Sequence, residues 1–257
     1  MDDVSALYGR MRGSELNQRV GGGDPEEVGF FCYHNIKQQI GFVPGDRILD
    51  FGCGIGRVLV QVAKETDPST RIVGMDIMPD AIAFCRENIN GIFPNAIFEL
   101  IEGGNVHYDK YIVSGGAKSR ADILGSYGRS FSKAYAFSVF THVDLDDFAT
   151  LLRFVGDLLA KDGELLLTCF ILTAFSRAAI ENKKTTFGFD ASSFENDGQV
   201  FIGNGADRLA FIAYDLGLLD KLVSEAGLVI SRIEFGAWRG SGFGSSLHDM
   251  LVLRRAE

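Results

Sequence analysis

The sequence of 257 residues is poor in cysteine (4), proline (5) and tryptophan (1). Cys32, Cys53, Cys85 and Cys169 form neither a C-x-x-C pair nor a dense framework, which excludes a disulfide scaffold or zinc ribbon and fits a reducing, cytoplasmic setting. No basic start leads into an apolar core, and no apolar run approaches the ~20 residues that span a bilayer, so neither secretion nor a membrane partner is expected. Positive charge is also short, at 25 Lys and Arg against 34 Asp and Glu, a net charge of -9. An acidic surface repels phosphate backbones, so no nucleic-acid partner is expected. What remains is a chain with 46% hydrophobic residues, enough for a full core, and 31 glycines. Such an excess marks either floppy linkers or places where backbone approaches a ligand.

Residues 1–25 read as a flexible arm: polar, running through Gly21-Gly22-Gly23 to a helix start at Asp24-Pro25-Glu26-Glu27. From there strands and helices alternate. Arg47–Phe51 and Arg71–Asp76 read as buried strands, each followed by a helix, over Val58–Lys64 and Pro79–Asn88. Ala96–Ile101, Ala134–Val139 and Leu165–Ile171 read as the next strands, with a helix over Leu145–Leu159. A helix over Asp215–Ala226 and strands at Val229–Phe235 and Met250–Leu253 close the pattern. Two stretches resist tracing, near 103–132 and 187–206. The alternation predicts one three-layer α/β domain over 26–257, with insertions at those two places.

The informative segment is Asp50-Phe51-Gly52-Cys53-Gly54-Ile55-Gly56-Arg57, which leaves a strand and enters a helix. Glycines at 52, 54 and 56 let the backbone turn tightly and pass close to a ligand, while the helix start behind them exposes free amides. A dinucleotide fingerprint puts its third glycine where Arg57 stands, and Asp50 adds a negative charge suited to an ammonium rather than a pyrophosphate. Asp76, ending the second strand, can accept hydrogen bonds from both hydroxyls of a ribose, and Ile77 beside it can pack on an adenine face. Together they ask for an adenosine joined to a cationic amino acid, which describes S-adenosylmethionine better than NAD.

With these residues in place the chain resembles the class I S-adenosylmethionine-dependent methyltransferases. The resemblance rests on Leu49–Arg57, Gly74-Met75-Asp76-Ile77, Phe137-Ser138-Val139-Phe140-Thr141-His142-Val143 and Leu159–Leu165, in the family's order. It implies a three-layer Rossmann-like fold with a mostly parallel seven-stranded sheet whose last strand is antiparallel. It also implies that Asp50, Phe51, Gly52, Cys53, Gly54 and Gly56 hold the methionine part, Asp76 the ribose, and Ser138 the floor of the cofactor site. Many members carry a carboxylate after the third strand for the adenine amine. Here Glu102-Gly103-Gly104-Asn105 departs from that pattern, and Asn105 is the candidate. Ser138–His142 and the ending Asp249–Leu253 look similar to bacterial members that methylate surface polysaccharides or other small acceptors.

The resemblance puts His142 just beyond a strand end that faces the cofactor, where it can serve as general base; bridging backbone groups in its own loop is the plainer reading. His248 opens the last strand and is the second candidate for the base, against a surface role. Asp50 and Asp76 can equally cap local amides, and Asp144, Asp146 and Asp147 fit the start of a helix better than a metal site; no metal is expected. Phe187, Phe189, Phe194 and Phe201 form either a lid over an acceptor or a satellite core. The expected function is methyl transfer from S-adenosylmethionine to an oxygen, less readily a nitrogen, of a small molecule or glycan. The alternatives are a non-catalytic S-adenosylmethionine-binding sensor or scaffold and a nicotinamide-dependent oxidoreductase. Oligomeric state is left open.

Overall fold

The computed structural model describes residues 3–103, 116–242 and 244–256. Contacts group the chain into two units, Met1–Tyr135 with Leu158–Lys161, and Ala136–Asp157 with Asp162–Glu257.

In the first unit the elements are α1 (Asp3–Gly13), α2 (Glu15–Arg19), α3 (Pro25–Gln39), β1 (Arg47–Phe51), α4 (Arg57–Glu65), β2 (Arg71–Asp76), α5 (Pro79–Asn88), β3 (Ala96–Leu100), α6 (Arg120–Tyr127) and β4 (Phe131–Ala136). Asp24 caps α3, its carboxylate accepting the amides of Glu26 and Glu27 at 3.0 and 3.1 Å, with Pro25 in the first turn. A capping oxygen and a preset proline φ are the usual physical reasons for a helix to begin where it does. The strands β2 and β4 flank β1, all parallel, and β3 lies parallel outside β2. Their interior is apolar: Ile48, Leu49, Ile72 and Met75 are buried, as are Leu59 and Val62 of α4.

The stretch expected to be a flexible arm is helical instead. Leu7, Tyr8 and Met11 share one face of α1 and are buried, and Tyr8 donates to Gln61 at 3.3 Å. Arg12 ties the same segment to Asp24 at 2.6 Å and Glu26 at 2.8 Å. The apolar residues of so short a segment are too few to announce a helix by periodicity, but burying Leu7, Tyr8 and Met11 supplies what local propensity lacks.

In the second unit follow α7 (Leu145–Leu158), β5 (Leu159–Cys169), β6 (Ile171–Leu172), α8 (Ala174–Glu181), β7 (Ser193–Glu195), β8 (Val200–Ile202), β9 (Ile212–Asp215), α9 (Leu216–Glu225), β10 (Leu228–Glu234) and β11 (Asp249–Arg255). The last strand, β11, runs antiparallel to both β5 and β10. The larger sheet has the order β10-β11-β5-β4-β1-β2-β3, the expected mostly parallel seven-stranded arrangement. Strand β4 ends at Ala136, earlier than expected, and Ser138 beyond it holds φ at 55°.

Unforeseen is a second sheet of four strands, β6-β9-β8-β7. The break that creates β6 has a tertiary cause: the Ile171 amide donates to the Asp249 carboxylate at 2.7 Å, leaving the ladder that β5 makes with β11. The 187–206 insertion supplies β7 and β8. Its aromatics divide: Phe201 is buried with Phe170, Phe211 and Trp238, and Phe187 and Phe189 pack against that cluster, whereas Phe194 is exposed beneath the Arg177 guanidinium. Three of its four aromatics therefore belong to a satellite core. Among the described residues no helix is long and apolar enough to cross a membrane.

Candidate cofactor site

The end of β1 and the start of α4 are joined by a loop with two positions, Gly54 and Gly56, that a side-chain-bearing residue would not accommodate. Gly54 and Gly56 have φ of 52° and 83°; a Cβ on Gly54 would lie 2.9 Å from Val20, and one on Gly56 2.5 Å from Ile89. The loop is tied to the neighbouring strand, the amides of Gly52 and Cys53 donating to the Met75 carbonyl at 2.8 and 3.1 Å. Phe51 and Cys53 are buried beside it. The Cys53 thiol, enclosed with that of Cys85, is pushed well up by burial and is no nucleophile.

Asp50 precedes the loop and is buried, 3% exposed. Its Oδ2 finds no hydrogen-bond donor among the described residues. Burial pushes its carboxyl up to about 8, countered in part by the Tyr135 hydroxyl on β4, with Asp76 adding to the rise. A buried carboxyl with one oxygen unmet is costly, and a cationic ligand group would answer it. Residues of this kind fit a ligand carrying an ammonium group.

Asp76 ends β2. Its Oδ2 accepts the Gly54 amide at 2.7 Å and its Oδ1 the Met78 amide at 2.9 Å. Burial raises its pKa, and the amides of Met78, Gly54 and Ile77 oppose the rise. One carboxylate thus caps the turn into α5 and holds the glycine loop, and with about four lone-pair sites it retains capacity for hydroxyl donors. Ile77 is half-buried and lies against Gly103, where a Cβ would collide with it. Asn105 lies outside the described residues.

The remaining candidates belong to the second unit. Ser138 is exposed, and its amide donates to the Thr168 hydroxyl at 2.8 Å. His142 is half-buried with Nδ1 2.8 Å from the Leu209 carbonyl. A carbonyl only accepts, so in the neutral ring the proton sits on Nδ1 and Nε2 carries the lone pair. His248 packs 5.0 Å from the Phe170 ring. Burial, with the charge of His142 added, lowers its pKa to about 4. The two candidate bases are thus electrostatic neighbours.

Residues 42–108 match the family model described as "Methyltransferase domain". Among curated proteins, an arsenite methyltransferase of Halobacterium salinarum is 28% identical over 106 residues, 41% of this chain and 27% of that protein. A probable cobalt-precorrin-6B C(15)-methyltransferase (decarboxylating) of Saccharolobus solfataricus is 29% identical over 92 residues, 32% of this chain and 45% of that protein. The chain therefore spans less than half the length of these two relatives. Among solved structures, the Burkholderia thailandensis 1,6-didemethyltoxoflavin-N1-methyltransferase with bound 1,6-didemethyltoxoflavin and S-adenosylhomocysteine superposes with a TM-score of 0.57. It is 14% identical and covers 98% of this chain and 89% of that one. The fold is that of a class I S-adenosylmethionine-dependent methyltransferase.

Two features of this methyltransferase fold escaped the reading of its sequence. The guanidinium of Arg57, at the first position of α4, donates to the carbonyls of Val20 and Gly22. The available signal was an arginine at a helix N-terminus, where the dipole disfavours a cation. The second is Asp249, fully buried, which accepts the Trp238 indole N–H, the Gly236 amide and the Ile171 amide, each at 2.7 Å. Trp238 is a core residue of the second unit. Asp144 is engaged by Arg208 at 2.7 Å. Among the described residues no cluster of three or more His, Cys, Asp or Glu stands ready for a metal.

Proposed function

We propose that the chain is a methyltransferase using S-adenosylmethionine as donor and the hydroxyl of a small molecule or glycan as acceptor. The observation that carries the reading is Asp50: a buried carboxyl with an unmet oxygen at the mouth of a glycine loop whose amides are fixed from β2. The cofactor, when bound, supplies a methyl group on a sulfonium, already activated for transfer. Asp50 would answer the ammonium and Asp76 the ribose hydroxyls, with Ile77 against the adenine. For a hydroxyl acceptor a proton must leave, and His142 can take it through Nε2, since Leu209 holds the Nδ1 proton. The neutral His248 is the second choice. The chain's own contribution is alignment, exclusion of water and this proton.

Isothermal calorimetry with S-adenosylhomocysteine tests the cofactor half of the reading, with NADH as the competing ligand. Tight binding of the former and none of the latter is expected; the reverse overturns it. Release of S-adenosylhomocysteine on mixing with panels of hydroxylated, amino and glycan acceptors tests the transfer and separates an enzyme from a sensor.

A further inference from the structure

The tripeptide turn Gly21-Gly22-Gly23, together with Val20, forms a strap between α2 and α3. All three glycines have positive φ, 99°, 66° and 77°, so the strap bends back on itself. Asn17, buried in α2, donates to the Gly23 carbonyl at 2.8 Å. The Val20 side chain lies directly on Gly54, and this close approach is the reason a Cβ at 54 would be 2.9 Å from Val20 Cγ1.

Arg57 is what holds the strap there. Its guanidinium reaches out of the first turn of α4 and donates to two strap carbonyls, Val20 and Gly22. A cation at this end of a helix works against the dipole, and one held in a half-buried place also loses solvation. Neither cost serves α4 itself, whose N-cap Gly56 makes no side-chain cap. A planar fork of donors suits two carbonyls at once, as a lysine's point charge does not. Asp50 stands on the strand that feeds the same loop.

We propose that Arg57 is a positioning residue that pins the 20–23 strap onto the glycine loop and so sets how fast the cofactor leaves it. This rests on the reading that residues 50–56 hold S-adenosylmethionine. The strap carries no group that reacts; it covers Gly54 with a valine methyl and shields the loop from water. The pin is electrostatic and polar, so it opens without unpacking Leu7, Tyr8 or Met11, which anchor α1 separately.

The test uses the full chain, R57A, R57K and V20A, each with S-adenosylhomocysteine. Stopped-flow displacement reads the dissociation rate, and amide hydrogen exchange reads residues 14–23. Losing charged hydrogen bonds to two carbonyls should speed dissociation about tenfold or more in R57A. R57K should fall between, V20A should show a smaller rise with its pin intact, and exchange in 14–23 should speed up in R57A, less in R57K and not in V20A. Dissociation from R57A at the rate of the unaltered chain overturns the proposal, as does faster exchange without faster dissociation. If R57A does not fold, R57K and V20A carry the same comparison. If the unaltered chain binds no S-adenosylhomocysteine, it is the cofactor reading that fails, and the proposal falls with it.

Discussion

The carboxylate of Asp76 accepts the amide of Gly54 at 2.7 Å, joining the end of the second strand to the middle of the loop that follows the first. The same side chain accepts the Met78 amide, so the capping role and the ligand role weighed for it are not exclusive. Replacing Asp76 by alanine releases the loop amide and the turn into α5 together. S-adenosylhomocysteine affinity should fall at least about 100-fold, since two charge-assisted hydrogen bonds are worth roughly 3 kcal/mol or more. Calorimetry with D76A at unchanged affinity would sink the assignment of this loop to the cofactor.

Asp50 makes binding depend on pH. With its carboxyl near pKa 8 in the free protein, it is mostly protonated at pH 7, and an ammonium partner favours its ionised form. Binding should therefore release protons at pH 7, and affinity should rise from pH 6 to 8. The linkage runs the other way for folding: a carboxyl raised above its unfolded value costs the free chain stability as pH climbs from about 4 through 8. Calorimetry in buffers of different ionisation enthalpy reads the proton release directly. D50N should abolish it along with most of the affinity; equal heats across buffers in the unaltered chain would refute this account.

Most strands and helices of the main sheet were legible because their cause is local. The runs around Ile48-Leu49 and Ile72-Val73 are apolar on both faces, and each is followed by punctuation that starts a helix. The glycine loop was legible for the same reason, as spacing alone places Asp50 two residues ahead of Gly52. Tertiary causes were not. Helix α1 exists because Leu7, Tyr8 and Met11 find a surface, and the small sheet begins because Asp249 draws the Ile171 amide off the ladder. Neither fact leaves a period in the sequence. Phe201 and Phe194 are both aromatic insertion residues, yet only the first is buried, a distinction made by neighbours far away in the chain.

Asp249 should prove costly to alter. Its two oxygens serve three N–H donors, and burial raises its pKa only to about 6, so it is an acceptor at neutral pH. Asparagine at 249 would turn an N–H₂ toward at least one of those donors. We expect D249N to lose about 3 kcal/mol of stability, the scale of a broken buried charge-assisted set. Urea unfolding at pH 7 measures it, and a loss under about 0.5 kcal/mol, the size of an ordinary surface change, would show that the segment from Gly236 to Trp238 does not depend on this carboxylate.

His142 supplies the discriminating kinetic prediction. If an acceptor hydroxyl is deprotonated by Nε2, H142A should lower kcat by roughly 100-fold or more, the usual range for a positioned general base, while S-adenosylhomocysteine affinity stays put. H248A should cost much less, because His248 is packed on Phe170 and is neutral across the working range, with its pKa near 4. The acceptor's own chemistry then separates the two transfer modes. A hydroxyl needs its proton removed as the new bond forms, whereas a neutral amine attacks with a free lone pair. Rates measured against matched hydroxyl and amine acceptors should show the H142A defect for the hydroxyl and little for the amine. An equal defect for both would make His142 a binding residue, and a larger defect in H248A would exchange the roles of the two imidazoles.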